Sequence, residues 1–578
     1  MRKILLLLTA MMTITPMAAK TKTMTFKIIE TSDVHGCFFP YDFINRRPMR
    51  GSLARVMTYV RQQREQYGDH VIMVDNGDIL QGQPICYYYN YEHPEQTNVA
   101  AAVINYMGYD AQTFGNHDVE TGHAVYDKWI KEVNCPMLGA NIIDADTGQP
   151  YVKPYTLIER DGVRIAIIGL LTPAIPNWLN EQLWQGLRFD EMVSSARHWV
   201  DVVRKTEHPD VIIGLFHSGK EGGITTSDYV ENVSLRIARE VPGFDIIMYG
   251  HDHSPYSETI TNSEGQPVVC LNPANNALRV TEATVTLTFD KRRRNVKKEV
   301  TGALVDVIDL PIDDDMMSHF QPTIDQVKVF VDRRIGTFEQ TISTKDSYFG
   351  NSSFTDLIHN IQLSITGADI SFNAPLSFNA SIQEGPITVG DMFNLYKYEN
   401  QLYVLRMTGE EVRKHLEMSY DQWVNTMQSP DDHIMKLNDR DNGGDQQRSK
   451  FKHPTFNFDS AAGINYEVDV TKPDGQKVRI LGMSDGKPFD EHQWYKVAMN
   501  SYRGNGGGEL LTKGAGISLT ELPSRIIYQS ERDLRSYLMR EIEKAGHMNP
   551  QPNDNWRFVP SEWTLPALQR DREQLFGR

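Results

Sequence analysis

The chain has 578 residues and carries 59 Lys and Arg against 75 Asp and Glu, so its formal charge is 59 − 75 = −16. That deficit excludes an extended basic face for a nucleic-acid polymer, but it leaves room for a small phosphorylated ligand held through bound cations. With 40% hydrophobic and 23% charged residues, the chain has the balance of a soluble globular protein and enough apolar side chains for two large domains.

At the amino terminus, Arg2 and Lys3 precede an apolar run from Ile4 to Ala10 that continues to Met17-Ala18-Ala19. A basic start, a short apolar centre and small residues predict a cleaved signal peptide over residues 1–19 and export to the periplasm or beyond. The run is too short to span a bilayer and Pro16 interrupts it, so no transmembrane anchor is expected. Cys37, Cys86, Cys135 and Cys270 fit no zinc or redox spacing; one or two disulfides, or buried thiols, are both compatible with them.

Five apolar runs then end in polar clusters. Phe26–Glu30 leads into Asp33-Val34-His35-Gly36, and Val71–Val74 leads into Asp75-Asn76-Gly77-Asp78. Ala111–Phe114 leads into Gly115-Asn116-His117-Asp118, Val211–Phe216 into His217-Ser218-Gly219, and Phe244–Tyr249 into Gly250-His251-Asp252-His253. In an α/β sheet the ligand crevice lies beyond the carboxyl ends of the strands, so clusters distant in sequence can meet there. Asp, Asn and neutral His are donors for zinc, manganese, cobalt, iron or magnesium, with no thiolate among them. The adjacent glycines allow sharp turns. Each cluster alone is ordinary loop chemistry; five in order predict a metal site.

The ordered set Asp-x-His, Gly-Asp, Gly-Asn-His-Asp, His and Gly-His-x-His resembles the calcineurin-like metallophosphoesterases, and its spacing resembles their exported nucleotidase branch. The resemblance implies a four-layer α/β/β/α sandwich over residues 24–320, a linker helix over 321–345 and an α+β nucleotidase C-terminal domain over 346–545. Residues 546–578 would form a C-terminal arm. It also implies two divalent metal ions: Asp33, His35 and His253 around the first, Asn116, His217 and His251 around the second, and Asp78 bridging them. Such a pair, about 3.5–4 Å apart, polarises a phosphoryl oxygen and acidifies a water for in-line attack. His117 would stabilise the transition state or protonate the leaving oxygen, oriented by Glu120, with Asp118 the second candidate.

Between Asp315 and Tyr348 the strand pattern stops. The stretch Asp325–Arg334 reads as a connecting helix, although the alternation of Val327, Val329 and Val331 also suits a short strand. Asn351–Asn360 reads as a capped amphipathic helix and Ala368–Asn373 as a strand. Gln428–Pro454 is polar and reads as a surface insertion; the end, with Trp556 and Trp563, reads as a packed arm.

The segments Leu395–Leu402, Met407–Val412 and Asn500–Gly508 are similar to the nucleotidase C-terminal domain. That similarity implies that Tyr398 and Tyr502 sandwich the nucleobase, with Arg503 and Asn505 reaching ribose or base edge. A ring on a base face contributes about 1–3 kcal/mol whatever the base, so broad base tolerance is expected. Where 5′-nucleotidases carry Gly-Gly-x-Arg, this chain reads Asn373-Ala374-Pro375-Leu376, and its glycine loop ends in Glu509. Together with Phe456-Asn457-Phe458-Asp459 and Gly463-Ile464-Asn465-Tyr466, these departures resemble the 2′,3′-cyclic-nucleotide 2′-phosphodiesterase/3′-nucleotidase group. The rival activities are 5′-nucleotidase and UDP-sugar hydrolase; the rival class is an exported nucleotide-binding protein without catalysis.

Overall fold

The structure, a computed structural model, describes residues 21–290, 295–438 and 450–577. The signal-peptide expectation for residues 1–19 falls outside them. Among the described residues no helix is long and apolar enough to cross a membrane. All four cysteines are free and buried.

The first half folds as two facing six-stranded sheets. One runs Asn295–Asp306, Arg279–Phe289, Lys22–Thr31, Val71–Asp75, Ala111–Thr113, Met137–Leu138; the other runs Tyr256–Thr261, Pro267–Asn272, Ile246–Tyr249, Val211–His217, Val163–Leu171, Tyr155–Arg160. The period-2 alternation of strands sorts their side chains between layers. Phe26, Ile28, Ile72 and Val74 from one sheet meet Ile165, Ile167, Ile213 and Leu215 from the other in a dry central core. Ile29 points the other way onto a helix, Leu53–Tyr67, through Val56 and Val60. Ile212 and Ile247 likewise face the helix Met192–Thr206 through Val193, Ala196 and Val200. Helix, sheet, sheet and helix therefore stack as four layers. Buried on both faces, the strand Val71–Asp75 pairs in parallel with Lys22–Thr31, Thr31 opposite Asp75. Val211–His217 is parallel to both of its neighbours. Parallel pairing sends these carboxyl ends to one edge, which is why the polar clusters converge.

The connecting helix spans Asp314–Asp332, with the Asp313 side chain capping Met316 N. Met316, Phe320, Ile324, Val327 and Val331 are buried at helical spacing, while Val329 is 75% exposed. Val327 and Val331 thus lie on the buried face of a helix and Val329 on its exposed side, so the alternation does not mark a strand. Beyond it, a five-stranded sheet runs Ser460–Ala462, Ile370–Asn373, Trp494–Asn500, Gln401–Thr408, Ile526–Asp533. The expected capped helix is present as Ser353–Thr366, with Ser352 accepting from Thr355 N.

Two expectations for the second half change. The C-terminal segment is built into the domain and is not an arm laid on it. Its strand Trp556–Val559 pairs in parallel with Ile464–Asp469, and its helix Ser561–Phe576 packs Ala567 and Leu575 into the core. Part of the polar 428–454 stretch is also interior: Ile434, Met435 and Phe451 are buried, and buried Asp571 accepts from the amides of Ile434 and Met435. Residues 439–449 lie outside the described set. Charge pattern alone could not show that a few apolar residues pin this stretch.

Candidate metal centre and domain cleft

Gly250 shows how tightly the strand ends pack. A side chain there would come within 2.0 Å of Ser32 Oγ and 2.5 Å of the Asp33 carboxylate, so the loop before His251 closes on Asp33 only with glycine. The His251 amide then donates to both Asp33 oxygens, at 3.2 and 3.1 Å.

Asp33, His35, Asp78 and His253 bring ligand atoms within 4.8 Å of one another, and Asp78, His217 and His251 do the same. Asp78 belongs to both groups. Asn116 Oδ1 joins the second, 3.2 Å from His217 Nε2, which itself lies 3.2 Å from Asp78 Oδ2. His253 Nε2 is 3.2 Å from Asp33 Oδ1 and 3.2 Å from His35 Nε2. All seven predicted ligand residues therefore meet at one edge of the sandwich.

Asp33, His35, Asp78, His251 and His253 all adopt φ between 49° and 73°. A left-handed backbone at non-glycine residues costs on the order of 1–3 kcal/mol each and persists where the surroundings impose it. Here the backbone bonds Asp33 N to Gly77 O and His35 N to Asp78 O tie the first two clusters together.

The donor set fits hard-to-borderline divalent ions. His35 gives Nδ1–H to the Gln81 carbonyl at 3.0 Å, which leaves its Nε2 lone pair facing inward. Burial holds this ring's pKa down to about 3 against the pull of Asp78, so it presents the neutral form in which imidazole ligates. His217 is anchored in the same way, through Nδ1 to the Asn76 carbonyl at 2.6 Å.

Beside this cradle lies a second unit. His117 Nδ1 is 2.6 Å from Glu120 Oε2, and the His117 amide donates to Asp78 Oδ1 at 2.8 Å. Burial opposes charge on His117, yet Asp78 and the bonded Glu120 outweigh it and lift the ring to about 10. Asp118 does something else. Its two oxygens accept from the backbone amides of Asp78, Ile79, Leu80 and Gly115, at 2.8 to 2.9 Å. It fixes the Asp78 loop, and Glu120 is the acid that pairs with His117.

The second domain closes over this edge. Tyr398 comes within electrostatic range of His117, and Tyr502 within range of Tyr398 and Glu231. The ring packed against Tyr502 is Phe456, 6.0 Å away and perpendicular, an aromatic neighbour that its pattern Phe-Asn-Phe-Asp had not singled out. Asn505 Nδ2 donates to the Trp178 carbonyl of the first domain at 3.4 Å, and the Trp178 ring lies 5.6 Å from His251. Asn180 Nδ2 bonds to Gln401 and Gln529, and Tyr87 OH to Asp533. A cavity of about 150 Å³ sits between the domains, with Glu120, Thr121, Asn180, Glu399 and Gln401 in its wall.

Arg503 corrects an expectation. It is 2% exposed, and its guanidinium is spent inside its own domain. Nε and a terminal nitrogen hold Asp459 in a fork at 2.8 and 3.1 Å, and the rest goes to Phe456 O, Asn457 Oδ1 and Gly507 O. All five N–H groups are used, so Arg503 shapes the loop that carries Tyr502 and does not reach ribose or base. Burial raises the Asp459 carboxyl, but Arg503 and His415 outweigh it and hold it at about 2.

Comparison with known proteins places these features. Residues 26–255 match the family model for calcineurin-like phosphoesterases, and residues 334–513 match that for the 5′-nucleotidase C-terminal domain. A 2′,3′-cyclic-nucleotide 2′-phosphodiesterase/3′-nucleotidase of Yersinia enterocolitica is 26% identical over 630 aligned residues, covering 96% of this chain and 91% of the relative. The trifunctional nucleotide phosphoesterase protein YfkN of Bacillus subtilis is 26% identical over 93% of this chain, which spans 39% of that relative's length. A putative 5′-nucleotidase from Staphylococcus aureus has the same fold, with a TM-score of 0.75 at 24% identity, covering 92% of this chain and 99% of that one.

Proposed function

For a chain that belongs to the calcineurin-like phosphoesterases and carries their 5′-nucleotidase C-terminal domain, we propose hydrolysis of 2′,3′-cyclic nucleotides to 3′-nucleotides, followed by release of nucleoside and phosphate. The observation that carries this reading is the meeting of seven donor side chains with the His117–Glu120 pair at the edge that Asn505 and Asn180 join to the second domain. Asp33, His35, Asp78 and His253 would hold one divalent ion; Asp78, Asn116, His217 and His251 would hold the other. When bound, the ions supply Lewis-acid polarisation of the phosphate and an acidified water.

The chain's own groups do the rest. His117, paired through Nδ1 with Glu120, turns its Nε2 toward the departing sugar oxygen and donates a proton there. Tyr502 offers a face to the base, with Phe456 as its aromatic neighbour and Tyr398 at the His117 end of the cleft. Domain closure through Asn505 and Asn180 keeps water out of the occupied site. The two steps balance: one water opens the cyclic ester at the 2′ oxygen, and a second cleaves the 3′ ester. The basic and apolar amino-terminal run supports export as part of this reading.

Preference for the cyclic and 3′ esters rests on the absence of the Gly-Gly-x-Arg arginine, whose place is taken by Asn373-Ala374-Pro375-Leu376. Phosphate and nucleoside release from 2′,3′-cyclic AMP, 3′-AMP and 5′-AMP in parallel tests it. The first two are expected to be turned over faster than the third. Faster turnover of 5′-AMP would assign the chain to the 5′-nucleotidases, and binding of all three without hydrolysis would make it a nucleotide-binding protein.

A further inference from the structure

The histidines of the cradle are not all anchored in the same way. His35 and His217 each give Nδ1–H to a backbone carbonyl, of Gln81 and Asn76. His251 instead has its Nε2 on a carboxylate, 2.9 Å from Glu231 Oε1, with both side chains 13% exposed. A carboxylate only accepts, so Nε2 carries the proton and Nδ1 keeps the lone pair.

Glu231 lies on a hairpin outside the sandwich, in the strand Val230–Asn232 that pairs with Gly222–Thr225. Its other oxygen accepts from Ile224 N at 2.7 Å. Gly223 makes room for that carboxylate: with φ +76°, it sits where a side chain would come within 2.3 Å of Glu231 Oε2. The Glu231 carbonyl accepts from Thr172 Oγ1 and Ser218 Oγ, each at 3.0 Å, and Asn232 Oδ1 accepts from Gly219 N at 2.7 Å. One residue thus ties the loop after His217 to the His251 ring.

We propose that Glu231 is the positioning residue of the second metal site, fixing His251 with Nδ1 toward the ion and lending that site a negative charge from outside its ligand set. The proposal rests on the metal-pair assignment above. Outer carboxylates of this kind orient a ligating imidazole and raise its basicity, and their loss typically costs about 10–100-fold in metal affinity.

The test compares wild type, Glu231→Gln and Glu231→Ala by zinc titration of the chelated full-length protein against a chromophoric competitor. His251→Ala serves as the reference for loss of the second site. Wild type is expected to bind two ions. Glu231→Ala should keep one at wild-type affinity and bind the other about 10–100-fold more weakly, reproducing the site lost in His251→Ala. Glu231→Gln keeps an acceptor for Nε2–H without the charge, so its affinity should fall between them, and because its NH₂ then faces the Ile224 amide it should melt slightly below wild type when metal-free. If the alanine variant does not fold, the glutamine variant carries the comparison. Wild-type affinity at both sites in the variants, or equal weakening of both, overturns the proposal while leaving the metal pair standing. A wild-type protein that binds no ion pair overturns the assignment beneath it.

Discussion

Replacing His117 by Ala is expected to lower kcat on 3′-AMP by about 10²–10⁴-fold, the usual contribution of one positioned proton donor, while both metal ions stay bound. The separation follows from geometry. His117 stands next to Asn116 but outside both ligand groups, and its tie to Asp78 runs through its backbone amide, which alanine retains. Among the described residues, its ring is held by a hydrogen bond to Glu120, at 2.6 Å. Glu120→Gln should therefore act in the same direction with a smaller loss, because an amide still orients the ring but no longer matches an imidazolium. Steady-state kinetics and metal analysis on the same preparations check this. Loss of metal with full turnover per remaining ion would make His117 structural.

Asp118→Asn is expected to cost more than its conservative chemistry suggests. Each Asp118 oxygen serves two backbone amides: Ile79 and Leu80 on one, Asp78 and Gly115 on the other. An asparagine presents an NH₂ to one of those pairs and leaves two buried donors unsatisfied. At roughly 1–3 kcal/mol for each orphaned group, the fold should lose about 2–6 kcal/mol. The damage lands on the loop that holds Asp78, so metal affinity should fall as well. Denaturant unfolding of the metal-free protein and metal titration measure the two effects separately. Unchanged values in both would show that the four amide contacts do not hold the loop.

The first domain was the more legible half because its ligands follow a physical rule. Parallel strands buried on both faces are continuous apolar runs, and ligands placed at their ends must share an edge. Asp33, Asp78, Asn116, His217 and His251 could be picked out for that reason. The family resemblance puts Glu120 ahead of Asp118 as the partner of His117, and the fold supplies the reason: Asp118 is consumed by backbone amides. Glu231 left no trace in the sequence. It is one glutamate in a short hairpin, and nothing in its neighbours shows that it meets a histidine 20 residues away.

The second domain was harder to read because its roles depend on burial. Arg503 looks like a ligand-binding arginine on a glycine-rich loop, yet Asp459 and three further oxygen acceptors use up its guanidinium. Phe456 is one of 23 phenylalanines, and only the fold puts it beside Tyr502. The same holds for the end of the chain, whose strand Trp556–Val559 completes a sheet begun some 90 residues earlier. Pairing between distant segments is not written in local periodicity.

The central claim is that the convergent Asp, Asn and His side chains hydrolyse a nucleotide phosphoester through a pair of bound divalent ions. It is tested most directly by phosphate release from 3′-AMP by exhaustively chelated protein during back-titration with Mn²⁺. No release before addition, and recovery completed as the second equivalent binds, is the predicted result. Release at the original rate from the chelated, metal-free protein would contradict it.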